Sequence, residues 1–313
     1  MSIEEAIKET DLEIKKALEH SALKEVTGFL TKSKGKGVRA KLMLIASVDE
    51  KDQVQEDVPR AAAALELMHM ATLVHDDIID NAEMRRGVPA LHKQFDAKTA
   101  VLCGDYLLAI SLSMLADLDA ERLGNVSEYR PIAREFSHAL ASVCKGEYIQ
   151  NTNIGNIDLD LFTYLKIISG KTAALFYIAA YAGAILGGEN IKNIKKIGQF
   201  GRNFGMAFQI ADDLKDYTWS EEEAKKPVLN DLRNGIVTLP LILALKKSPN
   251  LREIIDFKTL AVNSIYEKVK AVNGTDDAIE VVRRYYSKAE RSIEKLSPVK
   301  KEKLLTVLEP IKC

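Results

Sequence analysis

Two aspartate-rich segments of the same form constrain this chain more than any other feature. The segments are HDDIID, with Asp76, Asp77 and Asp80, and ADDLKD, with Asp212, Asp213 and Asp216. On a helix, residues i and i+4 share a face, so the first and last aspartates of each segment lie one turn apart. Two carboxylates at that spacing repel each other unless a cation lies between them. Hard oxygen ligands favour Mg²⁺, which completes its shell with water and phosphate oxygens.

The residues that flank each segment distinguish a cation site from an ordinary acidic helix end. One such segment alone is more often a solvated helix end than a metal site. Both segments here lie within apolar stretches, MATLVHDDII and GMAFQIADDL, which indicate partly buried helices. Buried carboxylates need cations or donors. The pair therefore predicts a cluster of Mg²⁺ ions around one diphosphate.

Composition limits the remaining classes. The net charge of -1 argues against a nucleic-acid partner. The three cysteines, Cys103, Cys144 and Cys313, lack CxxC spacing and indicate a reducing compartment. The charged N-terminus shows no signal peptide, so we expect a soluble, cytoplasmic protein. The longest uncharged stretch, 172–188, is shorter than the roughly 20 residues of a membrane span and predicts a closely packed core helix.

Helical periodicity recurs almost throughout the chain, and aromatic residues make up only 6% of it. The predicted helices cover 3–27, 37–47, 56–81, 97–117, 128–151, 159–187, 190–217, 236–247, 258–272, 275–297 and 299–311. No stretch resembles a linker, so we predict a single all-α domain, 1–313, around a central cavity. The charged break 218–235 is a candidate mobile flap.

Cations of the right type accompany the aspartates. They are Lys36 and Arg39 in GKGVR, Arg85 and Arg86 in MRRG, Lys171 with Thr172 in GKT, and Lys225 and Lys226 in the candidate flap. GKGVR and GKT are each predicted to open a helix, where backbone N–H groups favour anions. Taken singly, each cation fits a solvated surface, and the arginine pair fits a plain salt bridge. As a set they predict two diphosphate sites, one built on Mg²⁺ and one on cations alone.

GKGVR, HDDIID with MRRG, GKT, FQIADDLKD and the KP–D–TLP stretch resemble, in order, the motifs of the trans-type polyprenyl diphosphate synthases. The resemblance covers about residues 30–245. It implies an isoprenoid-synthase helical bundle, usually a homodimer, and the Mg²⁺-dependent head-to-tail condensation of an allylic diphosphate with isopentenyl diphosphate. It also implies three Mg²⁺ ions per active site with substrate bound, and contact with membranes only through product release.

The same resemblance implies residue roles. The direct Mg²⁺ ligands would be Asp76, Asp80 and Asp212, with Asp77, Asp213 and Asp216 acting through water or as outer ligands. The isopentenyl diphosphate site would comprise Lys36, Arg39, His69 and Arg86. The allylic diphosphate site would comprise Arg85, Lys171, Thr172, Gln209 and Lys226, with Thr172 and Gln209 facing the cation formed in the reaction. His75 is expected to be structural, and Phe208 to line the cavity for the growing tail.

Two positions depart from the family pattern. Ala40 replaces a frequent proline, which we expect to be harmless. Ile236 replaces a lysine that often faces phosphate, which removes one expected diphosphate contact. Longer-chain members tolerate that loss, so we interpret it as a mark of subtype.

Product length is predicted from the helix before the first aspartates. Short-chain members place a bulky aromatic residue four or five positions before the first aspartate, where this chain has Thr72 and Ala71. Residues 61–74 contain no aromatic side chain, so the floor is expected deeper, at Leu65 and Met68 or near 107–111. The roughly 22 Å of helix behind Asp76 predicts a hexaprenyl to octaprenyl product of about 30 to 40 carbons. The alternative is a geranylgeranyl product, if a neighbouring bulky residue closes the cavity early.

Three other interpretations compete with that of an enzyme that is active without a partner protein. A class I terpene cyclase would carry a different second metal motif, and a non-catalytic regulatory subunit would have lost aspartates or the arginine pair. The catalytic subunit of a heteromeric heptaprenyl diphosphate synthase, which needs a small regulatory subunit, would look very similar to this chain. That alternative stays open.

Overall fold

A computed structural model describes residues 1–19, 23–31, 35–122, 131–218, 230–255 and 262–309, and these residues are almost entirely helical. The α-helices are α1 (Ile3–Glu19), α2 (Lys24–Leu30), α3 (Val38–Ser47), α4 (Val58–Ile79), α5 (Leu91–Gln94), α6 (Ala97–Arg122), α7 (Ile132–Asn151), α8 (Leu161–Ile168), α9 (Ala174–Leu186), α10 (Ile191–Thr218), α11 (Asn230–Arg233), α12 (Leu239–Lys247), α13 (Val262–Ala271), α14 (Gly274–Ile293) and α15 (Pro298–Thr306). Ser169–Ala173 is a π-helical turn and Pro249–Ile254 a 3₁₀-helix. The short strands β1 (Met84–Arg85) and β2 (Val88–Pro89) pair antiparallel. The predicted all-α class is confirmed.

Two helix predictions need correction. The continuous helix predicted over 3–27 is wrong, because α1 ends at Glu19 and α2 begins at Lys24. The helix predicted over 159–187 runs from α8 to α9, but the π-helical turn Ser169–Ala173 interrupts its regular hydrogen bonding. The candidate flap lies largely outside the described residues, since 219–229 are not described.

The described chain forms two compact units. Unit 1 comprises 1–140, 178–198 and 296–304. Unit 2 comprises 141–177, 199–295 and 305–313, within which 219–229, 256–261 and 310–313 are not described. The first aspartate segment belongs to unit 1 and the second to unit 2. The single domain 1–313 stays a prediction.

Helix α4 is the central element of unit 1. Its run from Ala61 to Leu65 has no solvent exposure, and it packs against α1, α3 and α6. A helix that is apolar on all sides must be covered on all sides. The rigid α4 therefore ends in a fixed position, and its last turn carries the first aspartate segment.

Close backbone contacts also hold α3 in unit 1. A Cβ atom added at Gly183 or Gly187 of α9 would collide with the carbonyl oxygen of Met43 or Ser47 on α3. The buried Lys300 of α15 donates hydrogen bonds to the carbonyl oxygens of Ala46, at 3.0 Å, and of Val48. Its ammonium therefore caps the C-terminal end of α3. The prediction that the Ala- and Gly-rich stretch is a closely packed helix is confirmed.

Helix α10 carries the second aspartate segment in unit 2. Its phenylalanines form a buried aromatic cluster with Phe176, in which the ring centroids of Phe176 and Phe204 lie 5.0 Å apart. Gly205 permits this packing, because a Cβ there would lie 2.7 Å from Cα of Ala173. Phe208, predicted to line a tail cavity, packs against Phe176 with a centroid distance of 5.2 Å. These contacts fix α10 against the start of α9.

Two helical stretches of the described chain are long and apolar enough to cross a membrane by length and composition alone, Ala97–Glu121 and Leu161–Leu186. Two thirds of the second stretch is buried in the fold, as in a core helix, but only one third of the first.

Candidate active site

The first aspartate segment lies in the last turn of α4. Asp76 is half-buried, Asp77 is buried, and Asp80, the C-cap residue, is exposed. Nη1 of Arg85 lies 3.2 Å from Oδ1 of Asp77. Burial raises the pKa of Asp77, and the Arg85 guanidinium opposes that rise. Asp77 is thus held by an arginine, whereas Asp80 faces solvent.

A tight hairpin separates the two arginines that follow. Arg86 and Gly87 both have positive φ, 50° and 84°, as a two-residue turn of type I′ between β1 and β2 requires. Arg85 turns toward Asp77, whereas the guanidinium of Arg86 lies against Gly35, where an added Cβ would come within 2.6 Å of Nη1. A left-handed conformation at a non-glycine residue is strained and is often found at functional positions.

A half-buried cationic group lies beside this hairpin. Arg39, in the first turn of α3, donates from Nη1 to Nε2 of His69 at 3.0 Å. Because a guanidinium only donates, Nε2 accepts, and the neutral ring carries its proton on Nδ1. Burial, then Arg39 and Arg86, lower the pKa of His69 well below its ordinary value of 6.5. His69 is therefore a neutral donor.

Glu66 is the counter-charge of this group. Its Oε1 accepts from the backbone N–H of Ala40 at 3.1 Å, which satisfies a free donor at the start of α3. Burial raises the pKa of Glu66, and Arg39 and Arg86 act against that rise. Burial lowers the pKa of Arg39 to about 10, and Glu66 opposes this shift. Lys36 is exposed and precedes Gly37, the left-handed N-cap of α3.

Lys171 and Thr172 lie in the π-helical turn rather than at a helix start. The prediction that GKT opens a helix with free N–H groups is therefore wrong, since helical structure runs unbroken from Leu161 to Leu186. Two glycines permit the turn: a Cβ at Gly146 would lie 2.5 Å from N of Lys171, and one at Gly170 would lie 2.6 Å from O of Ser142. The π-turn thus lies directly against α7.

The amine of Lys171 has an acidic neighbour on α7. Its Nζ lies 2.6 Å from Oε2 of Glu147, a carboxylate that is 8% exposed. The side chain of Lys171 remains 26% exposed. The ion pair holds the ammonium at the surface of unit 2, where an anionic ligand can reach it.

The second aspartate segment divides into an exposed and a buried part. Asp212 is exposed, and its Oδ1 lies 2.7 Å from Nζ of Lys215. Asp213 and Asp216 are buried, and Oδ2 of Asp216 accepts from the backbone N–H of Asp231 at 2.9 Å. That bond ties the start of α11 to α10. Ile236, at the position of the missing lysine, is half-buried.

A hydrogen-bond chain connects Asp213 with two further predicted site residues. Nε2 of Gln209 donates to Oδ1 of Asp213 at 2.8 Å, and Oε1 of Gln209 accepts from the hydroxyl of Thr172 at 2.6 Å. The other oxygen of Asp213 accepts from the hydroxyl of Tyr164 at 2.6 Å. Burial raises the pKa of Asp213 to about 8, and the bonds from Tyr164 and Gln209 act against this rise.

The predicted chain-length residues are all buried in α4. Met68 and Ala71 have no exposure, and Thr72 donates from its hydroxyl to the carbonyl oxygen of His69 at 2.8 Å. Ala71 belongs to a packed apolar cluster that includes Cys103 and Leu107 of α6. Of the deeper floor candidates, Ser111 donates to the carbonyl oxygen of Ala64 at 2.7 Å. The side of α4 that faces α6 is therefore tightly packed.

The structure groups the predicted residues within each unit. Unit 1 brings Arg39 to His69 and Arg85 to the first aspartates, and unit 2 brings Thr172 and Gln209 to the second. Lys225 and Lys226 lie outside the described residues. His75, expected to be structural, packs on Gly104 of α6 and contacts the carbonyl oxygen of Val101 at 3.3 Å.

Three polar residues at these positions escaped sequence analysis: Glu66, Glu147 and Tyr164. Glu66 lies three residues before His69 and Tyr164 seven before Lys171, at helical spacing, whereas Glu147 lies on α7, which carries no predicted site residue. Helical spacing is a weak signal, because many residues of any helix share a face with a given neighbour. Within the part of the chain that the structure describes, no group of three or more His, Cys, Asp or Glu side chains is arranged to hold a metal ion.

Comparison with known proteins finds relatives that match most of the chain. A sequence model of the family described as polyprenyl synthetase matches residues 20–273. The chain is 34% identical over 292 residues to heptaprenyl diphosphate synthase component 2 of Bacillus subtilis (strain 168), covering 92% of this chain and 81% of that protein. It is 32% identical to geranylgeranyl diphosphate synthase of Saccharolobus solfataricus, covering 84% and 77% of the two chains.

The crystal structure of heptaprenyl diphosphate synthase from Staphylococcus aureus has the same fold. It superposes with a TM-score of 0.88 at 32% identity, covering 99% of this chain and 98% of that one.

Proposed function

The chain belongs to the polyprenyl synthetase family, and from that premise we propose that it extends an allylic diphosphate with isopentenyl diphosphate units to a long-chain polyprenyl diphosphate. The observation that carries the proposal is the pairing of each aspartate segment with the cationic or polar groups that the reaction needs. Arg85 accompanies the first segment, and Thr172 and Gln209 accompany the second.

The carboxylates present suit magnesium. Asp80 and Asp212 are exposed and Asp76 is half-buried, whereas their neighbours Asp77, Asp213 and Asp216 are buried and engaged by protein donors. Mg²⁺ takes one or two carboxylates together with water and phosphate oxygens. We assign Asp76, Asp80 and Asp212 as direct ligands and the buried three as supports. When bound, Mg²⁺ neutralises the charge that develops on the departing diphosphate.

Ionisation of the allylic substrate is the first step. Its C–O bond breaks, and the electron pair leaves with the diphosphate. The guanidinium of Arg85 and the ammonium of Lys171 stabilise that leaving group by charge, with Lys226 as a further candidate. The oxygen atoms of Thr172 and Gln209 are uncharged and polar, so they stabilise the allylic cation without trapping it.

The second substrate needs a site of its own. Lys36, Arg39 and Arg86 supply positive charge and His69 a neutral N–H for the diphosphate of isopentenyl diphosphate. The π-bond of this substrate attacks the allylic cation, and loss of a proton to the released diphosphate gives a new allylic product. Holding both reactants in place supplies much of the rate.

We propose a product longer than geranylgeranyl diphosphate. Residues 61–74 of α4 contain no aromatic side chain that would form an early floor. The relatives include both longer-chain synthases and geranylgeranyl diphosphate synthase, so a geranylgeranyl product is the second candidate.

We also propose a cytoplasmic homodimer. Val101 and Leu102 of α6 are 40% and 53% exposed, and Ala109 and Ala116 continue this outer face. An exposed apolar helix face favours contact with a second copy of the same chain. A partner of a different kind is the alternative, because the Bacillus subtilis relative is by name one component of its enzyme.

Replacement of the proposed metal ligands tests the function. Asp76→Ala or Asp212→Ala should lower turnover by at least about 10³-fold, on the order of 4 kcal/mol of transition-state stabilisation. Circular dichroism should show unchanged helicity, since neither Asp76 nor Asp212 belongs to the buried core. Near-normal turnover of either variant with Mg²⁺ present would refute the metal assignment.

A further inference from the structure

Tyr164 is a buried polar residue that the predicted motifs leave without a role. It lies on α8, is 3% exposed, and its hydroxyl donates to Oδ2 of Asp213 over 2.6 Å. Asp213 is itself 5% exposed. A phenylalanine would fill the same space without bringing a polar group into the interior. The hydroxyl is therefore explained by its bond to the carboxylate rather than by packing.

The bonds around Asp213 fix the direction of the neighbouring amide. Oδ1 of Asp213 accepts from Nε2 of Gln209, one turn earlier on α10, so the NH₂ group of this amide faces Asp213. The carbonyl end of the amide then points the other way, where it accepts the hydroxyl proton of Thr172 at 2.6 Å. The opposite amide orientation would set Oε1 of Gln209 against a carboxylate oxygen.

The same sequence of bonds also orients Thr172. Its one hydroxyl proton is used in the bond to Gln209, so only the oxygen lone pairs remain to face another group. Hydrogen bonds in a chain polarise one another in the same direction. Because Gln209 donates to Asp213 and Thr172 donates to Gln209, the chain increases the electron density on Oε1 of Gln209 and Oγ1 of Thr172.

We propose that Tyr164 is a positioning residue that holds Asp213 and, through it, directs the oxygen atoms of Gln209 and Thr172 toward the allylic cation. Without the Tyr164 hydroxyl, the carboxylate of Asp213 is free to rotate and the amide of Gln209 to reverse. A reversed amide donates to Thr172, whose proton can then face the cation and destabilise it. This inference rests on the proposed function.

The test is Tyr164→Phe in two backgrounds. In the wild-type chain, kcat should fall on the order of tenfold or more, with KM for isopentenyl diphosphate within about twofold, because that substrate has separate ligands. In a Gln209→Ala background, the same substitution should change kcat by less than about twofold, because the group through which Tyr164 acts is gone. A purely structural role predicts equal factors in both backgrounds.

Tyr217→Phe is the matched control. Tyr217 is equally buried at 3%, but its hydroxyl faces the side chain of Thr238 rather than that of Asp213. It should lower thermal stability as Tyr164→Phe does, with kcat within about twofold of wild type. If Tyr164→Phe does not fold, Tyr164→Met replaces it in both backgrounds, because a flexible methionine can fill the space and also lacks the hydroxyl.

If the replacement of Tyr164 lowers kcat by the same factor with and without Gln209, and the wild-type chain is active, the inference is overturned. A wild-type chain that forms no prenyl product would instead overturn the proposed function.

Discussion

Arg85 and Arg86 are neighbours in sequence but serve different partners. The left-handed conformation at Arg86 turns the chain back within two residues, so one guanidinium pairs with Asp77 and the other lies against Gly35. This divergence supports separate roles in the two diphosphate sites. A lysine at either position would lose the planar, forked donor geometry.

The assignment of the two diphosphate sites predicts separable kinetic effects. Arg39→Ala should raise KM for isopentenyl diphosphate about 10- to 100-fold, and Lys171→Ala should do the same for the allylic substrate, because each removes a charged hydrogen bond to one diphosphate. Lys93→Ala is the control, since Lys93 pairs with Glu83 outside both groups and should change neither KM. Steady-state kinetics with each substrate varied in turn provide the measurement. Equal effects of both variants on both substrates would contradict the assignment.

The lowered pKa of His69 predicts a pH effect on stability. The imidazole stays neutral when folded but takes up a proton in the unfolded chain below about pH 6.5, so the unfolded state binds more protons there. Its contribution to the free energy of unfolding is therefore constant above pH 6.5 and falls as the pH drops below that value. His69→Gln keeps an acceptor for Arg39 but does not titrate. Denaturant unfolding at pH 7, 6 and 5 should show a smaller loss of stability for the variant than for wild type, and parallel losses would contradict the account.

Residue types could be predicted from sequence, but their partners could not. The aspartates, the arginines and GKT follow from spacing and charge. Asp213 accepts hydrogen bonds from Tyr164 and Gln209, whereas Asp212 is exposed. This difference depends on how α8 packs against α10. Contacts between helices distant in sequence leave no local periodic signal.

At the scale of elements, the π-helical turn Ser169–Ala173 sets the position of Lys171 and Thr172. Helical propensity predicts a continuous helix over this stretch, which is nearly correct. A π-helical turn is wider than an α-helical turn, and this one packs closely against α7. Only glycine at positions 146 and 170 leaves room for that packing. Turns of this kind often occur at functional positions.

Gly170→Ala tests the importance of this contact. The new Cβ would lie 2.6 Å from the carbonyl oxygen of Ser142, so α7 and the turn must separate. We expect a loss of about 1–3 kcal/mol in the free energy of unfolding, together with a raised KM for the allylic substrate. Gly28→Ala in α2 is the matched control, because nothing lies within 4 Å of its Cβ position, and it should be neutral or stabilising by about 0.5–1 kcal/mol. Similar stability of the two variants would contradict the proposed packing.

Helix α4 carries the prediction on product length. Ala71→Phe should shorten the product to about 15–20 carbons and leave ionisation intact, because it adds bulk roughly 7 Å along α4 from Asp76 without touching the metal ligands. Since Ala71 lies in a packed cluster, the variant should also lose about 1–3 kcal/mol of stability. Ala62→Phe, equally buried and on the opposite face of α4, should cost similar stability but leave the product unchanged. An unchanged product length in Ala71→Phe would refute this role of α4.

At the scale of the whole molecule, the all-α class and the family follow from sequence, because the motifs extend over most of the chain. The division into two compact units does not follow, since each unit is assembled from segments far apart in sequence. The oligomeric state likewise does not follow from sequence, because it depends on which surfaces the folded chain exposes. The exposed apolar face of α6 favours a homodimer, and the name of the Bacillus subtilis relative favours a second component.

The most direct test of the central claim is the product formed by the purified chain alone. The chain is incubated with Mg²⁺, labelled isopentenyl diphosphate and farnesyl diphosphate, its mass in solution is measured by light scattering, and the product is separated by chain length. We predict a dimer that forms all-trans products of about 30 to 40 carbons, the length that the roughly 22 Å of α4 behind Asp76 accommodates. A chain that incorporates no isopentenyl diphosphate without another protein, or one that stops at about 20 carbons, would contradict this account.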